Sequence, residues 1–205
     1  MSELNLSPEL CQRLASHTPS DMALDLPEAA VLVAVTNSPD EPEVILTRRA
    51  KHMNSHAGQV AFPGGKKDET DIDLYSTALR EAEEEIALPR NTVKPIGRLS
   101  QVVSRQGILV TPFIASVSSN VELIPNKEEL DAIFNVPLSF FLENLPDRYD
   151  RIRHPKGSLY IPCFFYDDYE IWGLSSLILV ELLNVGFDAD YDVWSKPEAV
   201  EIRYL

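Results

Sequence analysis

Cysteine is almost missing from this chain: Cys11 and Cys163 stand alone among 205 residues, far apart and outside any CxxC or Cys/His cluster. A zinc site needs closely spaced ligands and a disulfide framework needs paired thiols, so neither is expected, and both cysteines read as packed or idle groups. Long apolar runs are missing too. Ala29–Val35 and the segment around Leu177–Val180 fall well short of the ~18–20 residues of a membrane span, so a soluble protein with no membrane partner is expected. Positive charge is scarce: 18 Lys+Arg face 32 Asp+Glu, a net charge of −14. A field of that sign repels nucleic acid and anionic lipid, which excludes sequence-independent binding to either. An anionic small substrate would need local neutralisation. Met1-Ser2-Glu3-Leu4 carries no basic region leading into an apolar one, and Arg203-Tyr204-Leu205 is not a peroxisomal tripeptide, so a cytoplasmic location is expected.

What is present suffices for a core. With 44% hydrophobic and 24% charged residues, the chain is expected to fold as one domain over residues 1–205, with residues 1–25 as a helical appendage. Ser7-Pro8-Glu9-Leu10 supplies an N-cap, a proline at the first helical position and an early carboxylate, which predicts a short helix to about Ser16. Strands are predicted over Ala30–Thr36, Val44–Thr47 and Gln59–Phe62, and a helix from about Asp73 to Ile86 that Pro89 stops. Val93–Val103 and Ile108–Val117 follow as strands, the second made irregular or an edge by Pro112. Leu138–Leu142 begins a helical turn, Leu159–Tyr166 and Glu170–Trp172 are strands, and Gly173–Val185 is an apolar helix. Mixed elements without regular βαβ alternation give an α+β class, a mixed sheet layered between helices as α/β/α.

The 73–86 helix carries an unusual charge pattern. At ~100° per residue, Tyr75, Ala78, Leu79, Ala82 and Ile86 form the core stripe, while Glu84, Glu81 and Glu85 fall near ~180°, ~240° and ~280° from Tyr75. Like charges at i,i+3 and i,i+4 destabilise a helix, so these three carboxylates need a counter-charge. Arg80 can pair with Glu84 but cannot satisfy all three. Hard divalent cations take oxygen ligands, which makes the arc a candidate Mg2+ or Mn2+ site, against the plainer reading of a solvated acidic face. Glu83 falls on the other flank as a surface charge. Gly64-Gly65, between a strand and this helix, permits close backbone approach and offers N–H groups to phosphate oxygens.

Together these residues resemble the signature of the Nudix hydrolase family. Gly65 matches its first glycine, and Arg80-Glu81-Ala82-Glu83-Glu84-Glu85 matches the R-E-U-x-E-E core. Asp71 stands where a glutamate is expected, with one extra residue before Arg80, and Ala87 replaces a late glycine. The first departure lies in the loop and should matter little for metal; the second leaves the helix exit less defined. Upstream, Leu46-Thr47-Arg48-Arg49 and His56-Ala57-Gly58-Gln59-Val60-Ala61-Phe62-Pro63-Gly64-Gly65 are similar to the extension of the coenzyme A pyrophosphatase subfamily.

The resemblance implies the Nudix fold and metal ligands at Glu81, Glu84 and Glu85, with a further carboxylate at Glu129, or Glu128 as the fallback. It implies hydrolysis of the pyrophosphate of coenzyme A or acyl-CoA to 3′,5′-ADP and 4′-(acyl-)phosphopantetheine. Another nucleoside diphosphate derivative, or a non-catalytic binding module, is the alternative. Glu84, Glu85, Arg80 and Glu129 are the expected catalytic set, with Arg80 mainly orienting. Arg48, Arg49, His56, Gln59, Gly64 and Gly65 are the expected substrate contacts. Arg48 and Arg49 alternate across a strand, so only one can face the cleft. Arg105 is a weaker substitute, and His56 and Gln59 serve either substrate or the glycine loop. Phe62, Tyr169 and Trp172 are read as core, and Arg151-Ile152-Arg153-His154-Pro155-Lys156 as a solvated loop. The expected partner is a small nucleotide substrate of coenzyme A type, with a homodimer as an allowed assembly and no nucleic acid.

Overall fold

A computed structural model describes residues 6–38, 40–52, 57–154, 156–198 and 200–205. Its centre is strand β1 (Glu28–Thr36), whose Ala and Val residues alternate between two buried faces. Ala30, Leu32 and Ala34 join one core cluster, while Val33 and Val35 join another. Period-2 alternation with both faces apolar is what a sheet covered on two sides requires.

Strand β2 (Glu43–Arg49) returns antiparallel to β1, with β3 (Val60–Ala61) at its end and β4 (Gly64–Lys66) pairing back onto β1. Helix α2 (Leu74–Ile86) covers the Ala30/Leu32/Ala34 face through Ala78, Ala82 and Ile86. Strands β5 (Lys94–Arg98) and β6 (Val102–Val103) precede β7 (Leu109–Val117), which runs parallel to β1 along its full length. Strand β8 (Leu130–Pro137) lies antiparallel to β2 and leads into helix α3 (Leu138–Glu143).

The other face of the sheet is covered by α1 (Pro8–Ser16) and α4 (Gly173–Phe187). The Ser7 hydroxyl oxygen caps α1 by accepting from Leu10 N–H. The segment read as an appendage places Leu6, Leu10 and Leu14 in the main core, at 2%, 6% and 1% exposure. A second sheet follows β8: β9 (Arg148–His154), β10 (Gly157–Tyr166), β11 (Tyr169–Ile171) and β12 (Ile202–Tyr204), ordered β11-β10-β9-β12.

Two expectations are corrected. Pro112 does not put its strand at an edge: β7 is central, with β1 on one side and β5 and β6 on the other. The Pro112 carbonyl accepts from Leu99 N–H, so its missing N–H faces the interruption between β5 and β6, where no ladder bond is lost. Arg151 to His154 are not loop but the end of β9; Arg151 Nε bonds Ser158 Oγ at 3.0 Å, and its guanidinium lies over the Tyr204 ring. Helix α2, by contrast, ends at Ile86 as expected, and Ala87 caps it in a left-handed conformation of φ 55 and ψ 30.

Candidate active site

The edges of α2 are set by local chemistry. Asp73 caps its start by accepting from Ser76 N–H at 2.7 Å. At its end the Ala87 N–H reaches Glu83 O and the Leu88 N–H reaches Ala82 O. The β7–β8 connection satisfies two further carbonyls, Ile124 N–H bonding Ile86 O and Asn126 N–H bonding Glu85 O. Carbonyls that a helix leaves unpaired are thus met, and the same connection brings Glu129 to the helix.

Both glycines are demanded by close approach. A Cβ at Gly64 would stand 2.3 Å from Ala30 O, and one at Gly65 would stand 2.4 Å from the Glu81 carboxylate. The Gly64 N–H, expected at a substrate phosphate, instead donates to Glu85 Oε2 at 3.0 Å. Lacking side chains, the two residues let β4 lie on β1 and let carboxylates lie against β4.

The three helix glutamates differ in surroundings. Glu85 is 4% exposed; burial pushes its carboxyl up to about 7, against the Gly64 N–H, while the charges of Glu81 and Glu129 raise it further and Arg49 opposes them. Burial also raises Glu81, opposed by its hydrogen bond to Arg80 and reinforced by Glu84 and Glu129. Glu84 is exposed and Glu83 pairs with Arg90 on the surface. Glu129 couples to both Glu81 and Glu85, whereas exposed Glu128 offers its carbonyl to His52.

Arg80 is saturated. Its Nε and Nη2 bind the two oxygens of Asp71, Nη2 also binds Lys66 O, and Nη1 binds Glu81 and Glu84 at 2.9 and 3.0 Å. Asp71 in turn accepts from Asp68 N–H and the Thr77 hydroxyl, and these donors hold its carboxyl far below the usual range, Arg80 first among them. This residue was assigned no role beyond the loop. Its signal is positional: it stands where the family pattern has a glutamate.

Arg48 and Arg49 diverge, as strand alternation requires. Arg48 bonds Asp131 at 2.7 Å and lies over the Tyr169 ring, which stacks on Phe134. Arg49 points toward Glu85 and Glu129, at 3.8 and 4.0 Å. Gln59 O receives the Arg49 N–H, and His56 lies outside the described residues. Phe62 is buried in the core, and Trp172 lies beneath the Arg203 guanidinium.

Among the described residues, no three His, Cys, Asp or Glu side chains stand close enough to grip one ion. The donor chemistry nevertheless fits a hard divalent cation: Glu81, Glu84, Glu85 and Glu129 lie near enough to feel one another's charge, and two of them are raised by burial and mutual repulsion. In these rotamers Arg80 holds Glu81 and Glu84, and Arg49 stands between Glu85 and Glu129. The 56% and 42% exposure of the Glu84 and Glu129 side chains leaves room for them to turn inward. Among the described residues, no helix is long and apolar enough to cross a membrane.

Comparison with known proteins agrees with this geometry. The NUDIX domain family matches residues 26–154. The "Uncharacterized Nudix hydrolase NudL" of Yersinia pestis (strain Pestoides F) is 43% identical over 156 residues, 75% of this chain and 77% of that protein. The protein of the same description from Yersinia pseudotuberculosis serotype O:1b (strain IP 31758) matches equally. Among solved structures, a MutT/nudix family protein from Enterococcus faecalis superposes with a TM-score of 0.51 at 16% identity, covering 82% of this chain and 64% of the other, a likeness of fold.

Proposed function

The chain belongs to the NUDIX domain family and is a Nudix pyrophosphohydrolase acting on nucleoside diphosphate derivatives, and from that premise we propose that its substrate is coenzyme A or acyl-CoA. The products are then 3′,5′-ADP and 4′-(acyl-)phosphopantetheine. The observation that carries this reading is the segment from Leu46 to Gly65, whose Leu46-Thr47-Arg48-Arg49 and Gly58-Gln59-Val60-Ala61-Phe62-Pro63-Gly64-Gly65 are similar to the coenzyme A pyrophosphatase extension. Its support is that β2 and β3 carry this extension directly to the carboxylate cleft.

Glu81, Glu84 and Glu85, with Glu129, hold Mg2+ or Mn2+ in this reading. The cation, when bound, supplies charge neutralisation for a pyrophosphate and an acidified water. The chain's own residues do the rest. Gly64 N–H fixes the Glu85 carboxylate; Arg80, clamped by Asp71, keeps Glu81 and Glu84 on one side of the helix. Glu129 enters from another element, and the proton of the attacking water goes either to it or to a helix glutamate. In this reading a cytoplasmic enzyme of net charge −14 binds an anion through a local cation, with residues 1–205 as one domain.

The test is incubation of the full chain with coenzyme A, ADP-ribose, NADH and nucleoside triphosphates, each with Mg2+ or Mn2+, and chromatographic separation of the products. Release of 3′,5′-ADP is the expected result. Turnover of the other compounds but not of coenzyme A would sink the subfamily reading, and metal-dependent ligand binding without hydrolysis would point to a silent module.

A further inference from the structure

Two arginines, Arg80 and Arg49, stand against the carboxylates, with Arg48 next to Arg49 in the chain, and the donors of the three are occupied very differently. A guanidinium has five N–H donors. Arg80 uses them on Asp71, Lys66 O, Glu81 and Glu84. Arg48 is committed to Asp131 and to the face of Tyr169. The Arg49 guanidinium donates no hydrogen bond among the described residues: its closest carboxylate oxygens lie at 3.8 and 4.0 Å, beyond bonding distance, and its Nε is buried without a partner.

A charged donor left unmet in a half-buried cleft is costly, so a ligand acceptor there has an open place to bind. The Arg49 backbone is meanwhile fixed. Its N–H bonds Gln59 O and its carbonyl accepts from Gly58 N–H, both at 3.0 Å, and the β2–β8 register shifts between Arg48 and Arg49. The side chain alone is left to move.

Resting on the pyrophosphohydrolase reading, we propose that Arg49 grips a phosphoryl oxygen of the substrate, and that it does so by releasing Glu85 and Glu129, which it shields until a divalent cation binds. Arg49 and the cation are competitors for the same two carboxylates and partners on the same substrate. A residue with both roles has an uncommon mutational signature: its removal strengthens metal binding and weakens catalysis. A side chain that only supports the fold would weaken both.

The experiment compares wild type, Arg49→Gln, Arg49→Lys and Arg48→Gln, with Arg90→Gln as a surface control. Mn2+ binding is measured by electron paramagnetic resonance without nucleotide, and steady-state hydrolysis with Mg2+ on whichever compound the wild type turns over. Arg49→Gln is expected to bind Mn2+ at least about threefold more tightly while kcat/KM falls about 10–100-fold, the value of a charge-assisted hydrogen bond. Arg49→Lys keeps the charge but loses the planar fork, so Mn2+ affinity stays within about twofold and kcat/KM falls about tenfold. Should Arg49→Gln fail to fold by circular dichroism, the lysine variant decides. Weaker Mn2+ binding in Arg49→Gln, kcat/KM within twofold of wild type in either Arg49 variant, or the opposed changes in Arg48→Gln instead would overturn the assignment. A wild type without turnover removes the functional reading itself, and the Mn2+ comparison then still tells whether Arg49 shields the carboxylates.

Discussion

Asp71 holds Arg80 on two sides at once: Oδ1 accepts from Nε and Oδ2 from Nη2, each at 3.0 Å. The pair lies beneath the glutamates, and the remaining Arg80 nitrogen, Nη1, reaches up to Glu81 and Glu84. Asp71→Asn keeps the size of the side chain but replaces one acceptor with an NH2 group that faces a cation. The guanidinium then loosens, and the carboxylates it orients loosen with it. Activity is expected to fall about tenfold and stability by about 1–3 kcal/mol, the cost of leaving a charged donor unmet. Steady-state kinetics and urea unfolding measure the two; an unchanged kcat/KM would remove Asp71 from the site.

The same contact makes a pH prediction. Arg80, with the Asp68 N–H and the Thr77 hydroxyl, holds the Asp71 carboxyl below its usual value near about 4. A group whose folded-state pKa is depressed stabilises the protein fully above its unfolded value and stops doing so as pH falls through the folded one. The wild type should therefore lead Asp71→Asn in urea midpoint at pH 7, and that lead should narrow only below about pH 4. A gap that closes between pH 7 and pH 5 would contradict the assignment.

Much of the frame was legible because it depends on local pattern. The apolar run of β1, the Ser7 cap, and the glutamates on one arc of α2 all follow from spacing. Strand β9 was not, because Arg148 to His154 lacks an apolar period. It becomes a strand through distant partners: buried Asp150 takes Arg148 and Arg203, the latter from the β12 strand that closes the chain. Arg148 also binds Glu170. The Asp71–Arg80 pair was not legible either, since Asp71 lies in the loop before α2 and no periodicity tells how that loop folds back on the helix. Pro112 shows the converse. A local rule made its strand irregular or an edge, and the interruption between β5 and β6 absorbs the missing donor in the centre of the sheet.

The helix exit predicts a stabilising substitution. Ala87 adopts φ 55 and ψ 30, where an L side chain is strained and glycine is not, yet its N–H still closes the helix on Glu83 O. Ala87→Gly removes that strain but frees the unfolded chain, so a net gain of about 0.5–1 kcal/mol is expected, or roughly 2–3 °C in Tm. The residue is exposed, so no packing is lost. Differential scanning calorimetry would detect it, and a lower Tm would mean that Ala87 is not left-handed in solution.

Gly64 and Gly65 are neighbours with opposite mutational expectations. A Cβ at Gly64 meets backbone, 2.3 Å from Ala30 O and 2.6 Å from Val31 Cα, at a φ of +157. Backbone in the central sheet cannot step aside, so Gly64→Ala should cost about 1–3 kcal/mol or more and lose activity through the fold. A Cβ at Gly65 has the end of the Glu81 side chain as its three nearest atoms, at 2.4 Å from Cδ and Oε1. That carboxylate can swing away at little conformational cost, leaving the strand intact. Gly65→Ala should therefore unfold within about 1 kcal/mol of wild type while kcat falls at least about tenfold, because the displaced group is one expected to hold the cation. Urea midpoints and kcat measured on both variants separate the two effects. If Gly65→Ala kept full activity, Glu81 could not be needed where it stands; if it lost stability as Gly64→Ala does, the second glycine would serve the sheet and not the site.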